Sequence, residues 1–322
     1  DNLNCIKINQ SQLQYINVIK AQYTALGIPT ALWKTGAPAG TLFTGSPEIL
    51  PVFGYIDAFT YFSIDCSGAS DIYIDTNGIT IKCPGATIGF TKDINGKVYE
   101  VVDAVTLKAK ADNGEDVTCV CTSNITNMDN LFKDKASFNQ NIGGWDTSNV
   151  SNMDFMFYNS SFNHDIGNWD TSKVTSMLAM FQSFPPSGVS HPFNQTLSNW
   201  NVSNVETFEG MFYNSNFNQD ISSWDISSST SIRAMFEYTN FNYDVGDWDT
   251  SSVTDMDYIF NEAINFNQDL SGWCVTNISS EPFKFATSSA LLAGNKPIWG
   301  TCPSSSTTSG ASYSLDVTAS NS

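Results

Sequence analysis

Four aspartates stand at equivalent places along the chain. Asp146, Asp170, Asp225 and Asp249 each follow a tryptophan directly, and Asn201 takes the same place after Trp200. If neighbouring repeats bring such residues to strand spacing, roughly 5 Å, like charges repel unless backbone N–H groups or a cation pair with them. Turn or helix-cap bonding is the first expectation, and a calcium site is the alternative. An asparagine also follows each of six phenylalanines, at Asn139, Asn163, Asn194, Asn218, Asn242 and Asn267. Its side chain suits a ladder of bonds to turn backbone. The tryptophans could stack on sugar faces, but their fixed spacing to phenylalanine and methionine points to core packing.

Other chemistries are thinly supplied. The two histidines, His164 and His191, sit in unrelated contexts, which removes most Ser/His, Cys/His and zinc arrangements. An enzyme would need titratable groups clustered on the scaffold, and the repeats offer none that differs from copy to copy, so catalysis is not expected. With 14 Lys and Arg against 32 Asp and Glu, the formal charge is −18. That balance repels phosphate backbones and anionic membranes, so neither is an expected partner. No apolar run approaches the roughly 18 to 20 residues that cross a bilayer, and membrane insertion is not expected.

The elements that position these residues come from one repeated unit. Phe-Asn begins at Phe138, Phe162, Phe193, Phe217, Phe241 and Phe266, and seven residues later stand Trp145, Trp169, Trp200, Trp224, Trp248 and Trp273. Successive spacings are 24, 31, 24, 24 and 25 residues. An aliphatic residue lies four after each Phe, as at Ile142 and Ile166, and Val150, Met153, Met156 and Phe157 follow Trp145 in the pattern that recurs. These offsets fit helical periodicity, and the segment from the aliphatic residue to Trp reads as extended. One repeat is then a strand plus about two helical turns, the size of a leucine-rich-repeat unit. A lone copy buries too few side chains, at about 1.5–3 kcal/mol each, to offset the ordering of its backbone. Copies must therefore stack, giving an α/β repeat solenoid with a parallel sheet and short helices, and capped ends.

The expected organisation is residues 1–76 as a small α+β or β domain, 77–122 as an N-terminal cap, 123–273 as the solenoid, 274–302 as a C-terminal cap and 303–322 as a tail. Within the first part, Ser11–Leu26 has an amphipathic pattern that ends at Gly27. A short helix is expected near residues 103–111. Seven cysteines without a CxxC pair read as scattered disulfides, with Cys83–Cys121 and Cys274–Cys302 expected as clasps at the two ends. Together with Asp1 at the start, where removal of a secretion signal would leave it, they favour an extracellular or cell-surface location.

From about Asn77 to Pro303 the chain resembles the BspA-like leucine-rich-repeat surface proteins of bacteria. Repeats such as FNHDIGNWDTSKVTSMLAMF carry the resemblance, as do the flanks GITIKCP and NKPIWGTCP. It implies the repeat architecture and surface display, without a common ligand.

Two segments stand out as contact candidates. The long copy inserts residues between Phe181 and Phe193, including Phe184, Pro185, Pro186 and Val189, and such insertions fall on one face of a repeat array. The Ser/Thr-rich tail has Tyr313, Leu315 and Val317 alternating with polar neighbours, the pattern of a strand added to an exposed edge of its own or another subunit's sheet. The leading functional expectation is a non-enzymatic scaffold for protein–protein contact that self-assembles into an extracellular fibre or layer. The partner is another copy or another surface protein. The alternative is a monomeric adhesin that binds a host protein or glycan.

Overall fold

A computed structural model describes residues 71–184 and 189–303. Contacts divide the chain into two units, one of residues 1–71 with 84–86 and one of residues 72–83 with 87–322. The helix expected at 11–26, Cys5, Cys66, Pro185, Pro186, Tyr313, Leu315 and Val317 lie outside the described residues.

The second unit opens with a hairpin in which β1 (Tyr73–Ile74) pairs antiparallel with β2 (Ile81–Lys82). The Asn77 side-chain oxygen accepts the N–H groups of Ile79 and Thr80, each at 2.9 Å, and so closes the turn. A boundary at 77 would cut this hairpin; the pairing of β2 requires the residues before it. A second hairpin joins β3 (Thr91–Ile94) to β4 (Lys97–Val101), and β4 pairs in parallel with β5 (Val120–Cys121). Between β4 and β5 runs α1 (Ala104–Asn113). The Asp103 carboxylate caps it by accepting the Thr106 N–H at 2.7 Å, and Gly114 ends it in the left-handed region, where lacking a Cβ removes the steric penalty. Leu107 and Ala111 turn from α1 into the core that the copies share.

In the copies the backbone departs from the expected strand and short helices. No α-helix lies in them among the described residues; the stretch after each tryptophan is a run of turns. The reason is where the N–H groups go. Met153, Phe155, Phe157 and Asn159 donate to the carbonyls of Ser176, Leu178, Met180 and Gln182 in the next copy, at 2.8–3.0 Å. Only the intervening N–H groups bond locally, Met156 to Met153 and Tyr158 to Phe155, which closes three-residue turns. Overlapping turns that each span three residues place Val150, Met153, Met156 and Phe157 inside much as a helix would, so the spacing suits both. The segment before each tryptophan is likewise a turn, with the Trp145 N–H bonded to Ile142 at 3.1 Å.

Parallel pairing between the copies is confined to single residues, His191 to Ser215 and the series Asn127 to Asn152 to Ser176 to Thr207 to Ser231 to Asp255. Three places later stands a column in the left-handed region, Asn130, Phe155, Ala179, Gly210, Ala234, Tyr258 and Lys284, with φ between 50° and 61°. A side chain there costs about 1–2 kcal/mol, and only Gly210 escapes it. The inter-copy hydrogen bonds offset that cost.

All six tryptophans are buried. Trp145, Trp169, Trp200 and Trp224 stack in sequence with ring centres 6.4–6.5 Å apart and planes within 5°. Each indole N–H reaches back one copy, as Trp169 to the Ile142 carbonyl at 3.3 Å and Trp200 to that of Ile166 at 3.0 Å. A second column pairs two phenylalanines within each copy, such as Phe157 with Phe162 at 4.1 Å and Phe181 with Phe193 at 3.9 Å. One continuous apolar core results, in which no copy is complete without its neighbours.

Candidate interaction surface

The aspartate column is occupied by local bonds. Asp170 Oδ1 accepts the Ser172 N–H at 3.0 Å and its hydroxyl at 2.6 Å, and Asp225 does the same with Ser227. Those bonds, the hydroxyl's first, hold the Asp225 carboxyl below its ordinary range. Asp249 accepts the Ser251 N–H at 2.9 Å. Asn201 makes the same pair of bonds with Ser203, so the place needs an acceptor rather than a charge. Asp146 is buried and accepts additionally from Ser123 Oγ at 2.5 Å. No three His, Cys, Asp or Glu side chains gather as a metal would need among the described residues. The asparagines form a ladder: each Oδ1 accepts the N–H of the next, from Asn139 to Asn163 and on to Asn267, at 2.9–3.2 Å.

The long copy offers a different surface. Its insertion is fastened at both ends. Phe184 donates its N–H to Asn159 Oδ1 at 2.7 Å, and Ser183 Oγ donates to the Val189 carbonyl at 2.9 Å. Beyond it His191 is buried, accepting the Phe193 N–H on Nδ1 at 3.2 Å and donating from Nε2 to the Phe157 carbonyl at 2.9 Å. Burial pushes its pKa down to about 4, so the imidazole is neutral and serves as an anchor. The sequence reading missed this role because nothing in one isolated histidine distinguishes a structural anchor from an exposed ring.

Phe184 and Val189 are exposed. A shallow depression of about 470 Å³ beside Phe184 is lined by Lys133, Asp134, Phe155, Tyr158, Asn159 and Gln182. Lys133 Nζ lies 4.6 Å from the centre of the Phe155 ring and 5.4 Å from that of Tyr158. Aromatic faces, one ammonium and several amides suit contact with a protein or a glycan. Tyr158 and Gln182 share the place thirteen residues after Trp145 and Trp169, which the periodicity could have revealed as an outward column.

Farther along, Arg233 lies 3.0 Å from Asp257 and 4.9 Å from the Tyr258 ring centre. Glu237, whose pKa burial pushes up, accepts from Asn261 Nδ2 at 2.6 Å. The disulfides join Cys83 to Cys121 and Cys274 to Cys302, one at each end of the stack. Cys119 has no disulfide partner among the described residues.

The family model described as "Mycoplasma protein of unknown function, DUF285" matches twice, over residues 102–214 and 187–299, which together cover more than half of the chain. No curated protein and no solved structure matches it. The two matched spans fall on the stacked copies and the caps that adjoin them, and the chain belongs to the DUF285 family.

Proposed function

We propose that this is a non-enzymatic, secreted or cell-surface repeat protein, a solenoid of the BspA-like leucine-rich-repeat kind, that acts as a protein–protein interaction scaffold and self-assembles into an extracellular fibre or layer. The observation that carries this is where apolar side chains meet water. Ile79, Ile88, Phe90, Val98 and Val105 are exposed ahead of the copies, and Phe283, Leu292 and Ile298 in the last copy and after it. The long stretch between them exposes Phe184, Val189, Tyr238, Tyr243 and Ile264. Apolar residues concentrated at two opposite ends of a repeat array suit end-to-end contacts that do not close. A disulfide at each end supports an oxidising, extracellular setting. Light scattering and electron micrographs of the purified chain test the reading: polymers are expected, and a monomer at every concentration overturns it. The depression beside Phe184 favours the second reading, a monomeric adhesin for a host protein or glycan; loss of binding in Phe184→Ala would support it.

A further inference from the structure

The hydrogen bonds between copies are directional. The N–H groups of Met153, Phe155, Phe157 and Asn159 and of their equivalents face the following copy, while Ser151, Thr175, Glu206, Thr230 and Thr254, at the start of each stretch, donate to the preceding one. Tyr258, Phe260 and Glu262 thus donate to the carbonyls of Phe283, Phe285 and Thr287 at 2.9, 2.9 and 2.8 Å. The last copy repeats the arrangement with no further copy after it among the described residues. Pro282 takes the first donor place and has no N–H, and the N–H groups of Lys284, Ala286 and Ser288 make no hydrogen bond among the described residues. Lys284 and Ser288 are exposed, whereas their counterparts Tyr258 and Glu262 are half-buried. This edge presents donors at two-residue intervals, because the carbonyls between them are already paired. It asks for a backbone that offers carbonyls at the same interval, as an extended strand does along one side. Phe283, 60% exposed, adds an apolar contact beside the row.

We infer that this row receives residues 313–317 of a second copy's tail. Tyr313, Leu315 and Val317 alternate with the same two-residue period as the three donors. The nine residues between Pro303 and Tyr313 can extend about 30 Å, which sets the reach to a neighbour. Val275 donates to Thr301 and Gly300 donates to Ile278, so residues 300–301 run antiparallel to 275–278 before the tail begins. Cys302, bonded to Cys274, fixes that course. A different segment of a second molecule also has carbonyls to give: those of Asp129, Leu131 and Lys133, in the partial copy ahead of Phe138, make no hydrogen bond among the described residues. They lie at the end where α1 packs Leu107 and Ala111 into the core and Asp112 pairs with Lys135 at 3.0 Å. The inference rests on the self-assembly reading and names its docking edge.

Amide hydrogen exchange of the full chain, followed by light scattering across a dilution series, tests the two separately. The Lys284, Ala286 and Ser288 amides should exchange about tenfold or more slowly where the chain is assembled than where it is dilute. The variant carrying Tyr313→Asp, Leu315→Asp and Val317→Asp, whose changes lie outside the stacked copies, should lose that slowing. Slowing at every dilution, abolished by the variant, would mean the tail closes its own edge and would overturn the exchange between copies. Concentration-dependent slowing that survives the variant would give the edge to another segment. Polymers without slowing would leave the assembly reading standing and remove this edge from it.

Discussion

Two neighbouring copies, the one running through Tyr258–Ala263 and the one through Lys284–Ser289, follow the same backbone course and differ in what lies beyond them. In the first, alternate N–H groups are paired to the next copy and Asn261 and Phe260 are buried. In the second those donors are unpaired, and the equivalent Thr287 is exposed. The beginning of the stack differs again, since two hairpins, α1 and β5 stand ahead of it. A repeat of this kind carries no end of its own. Each end is whatever non-repeating sequence supplies, and here the first is covered while the last keeps a row of donors.

The comparison predicts the largest loss inside the stack. Trp200→Ala removes a ring stacked between Trp169 and Trp224 and one of the two donors to the Ile166 carbonyl, which keeps the Trp169 N–H, and should cost about 3–5 kcal/mol. Phe283→Ala at the open edge should cost less than about 1 kcal/mol. Chemical denaturation of both variants checks the pair, and equal losses would erase the distinction between interior and edge.

The two disulfides sharpen it. Loop entropy alone assigns about 3.9 kcal/mol to Cys83–Cys121, which closes 38 residues, and about 3.6 kcal/mol to Cys274–Cys302, which closes 28. Double serine variants at each end should therefore lose similar stability. A difference above about 1 kcal/mol would show that the cover around one bond, rather than the loop, sets its worth.

Acid should act on the interior through His191. Its folded pKa of about 4 lies below the ordinary 6.5, so the folded state favours the neutral ring. The stability this represents is complete above pH 6.5, declines as pH falls toward 4, and amounts to about 3 kcal/mol. Melting curves across that range should show the decline, and His191→Gln should flatten it. A smaller effect than at Trp200 is expected at Gly246, where a Cβ would stand 2.4 Å from the Asp269 carbonyl of the next copy. Gly246→Ala should cost about 1–3 kcal/mol in the same denaturation measurement. Ser222 holds the equivalent place one copy earlier, so the loss reports how far Asp269 can shift.

Much of this architecture was legible because repetition multiplies weak signals. The spacing of Trp145 through Trp273 announced a shared core, and the asparagines after each phenylalanine announced a ladder. The helix near 103–111 was legible as an element, and the structure added its cap at Asp103 and its end at Gly114. What misled was the three-residue period at Met153, Met156 and Phe157, which a helix and a series of turns satisfy alike. The depression beside Phe184 was only half legible, because Lys133, Phe155 and Tyr158 come from copies other than the one with the insertion.

The sequence by itself determined the period, the identity of the core and the acceptor chemistry of the Asp and Asn columns, since each depends on residue type recurring at fixed spacing. The tertiary structure alone decided the direction of the hydrogen bonds. Whether an N–H bonds four residues back or to the next copy depends on a neighbour being in place, and that neighbour lies about 24 residues away. The left-handed column at Phe155, Ala179 and Tyr258 is the mark of that choice, held by contacts between copies against the preference of each residue taken alone.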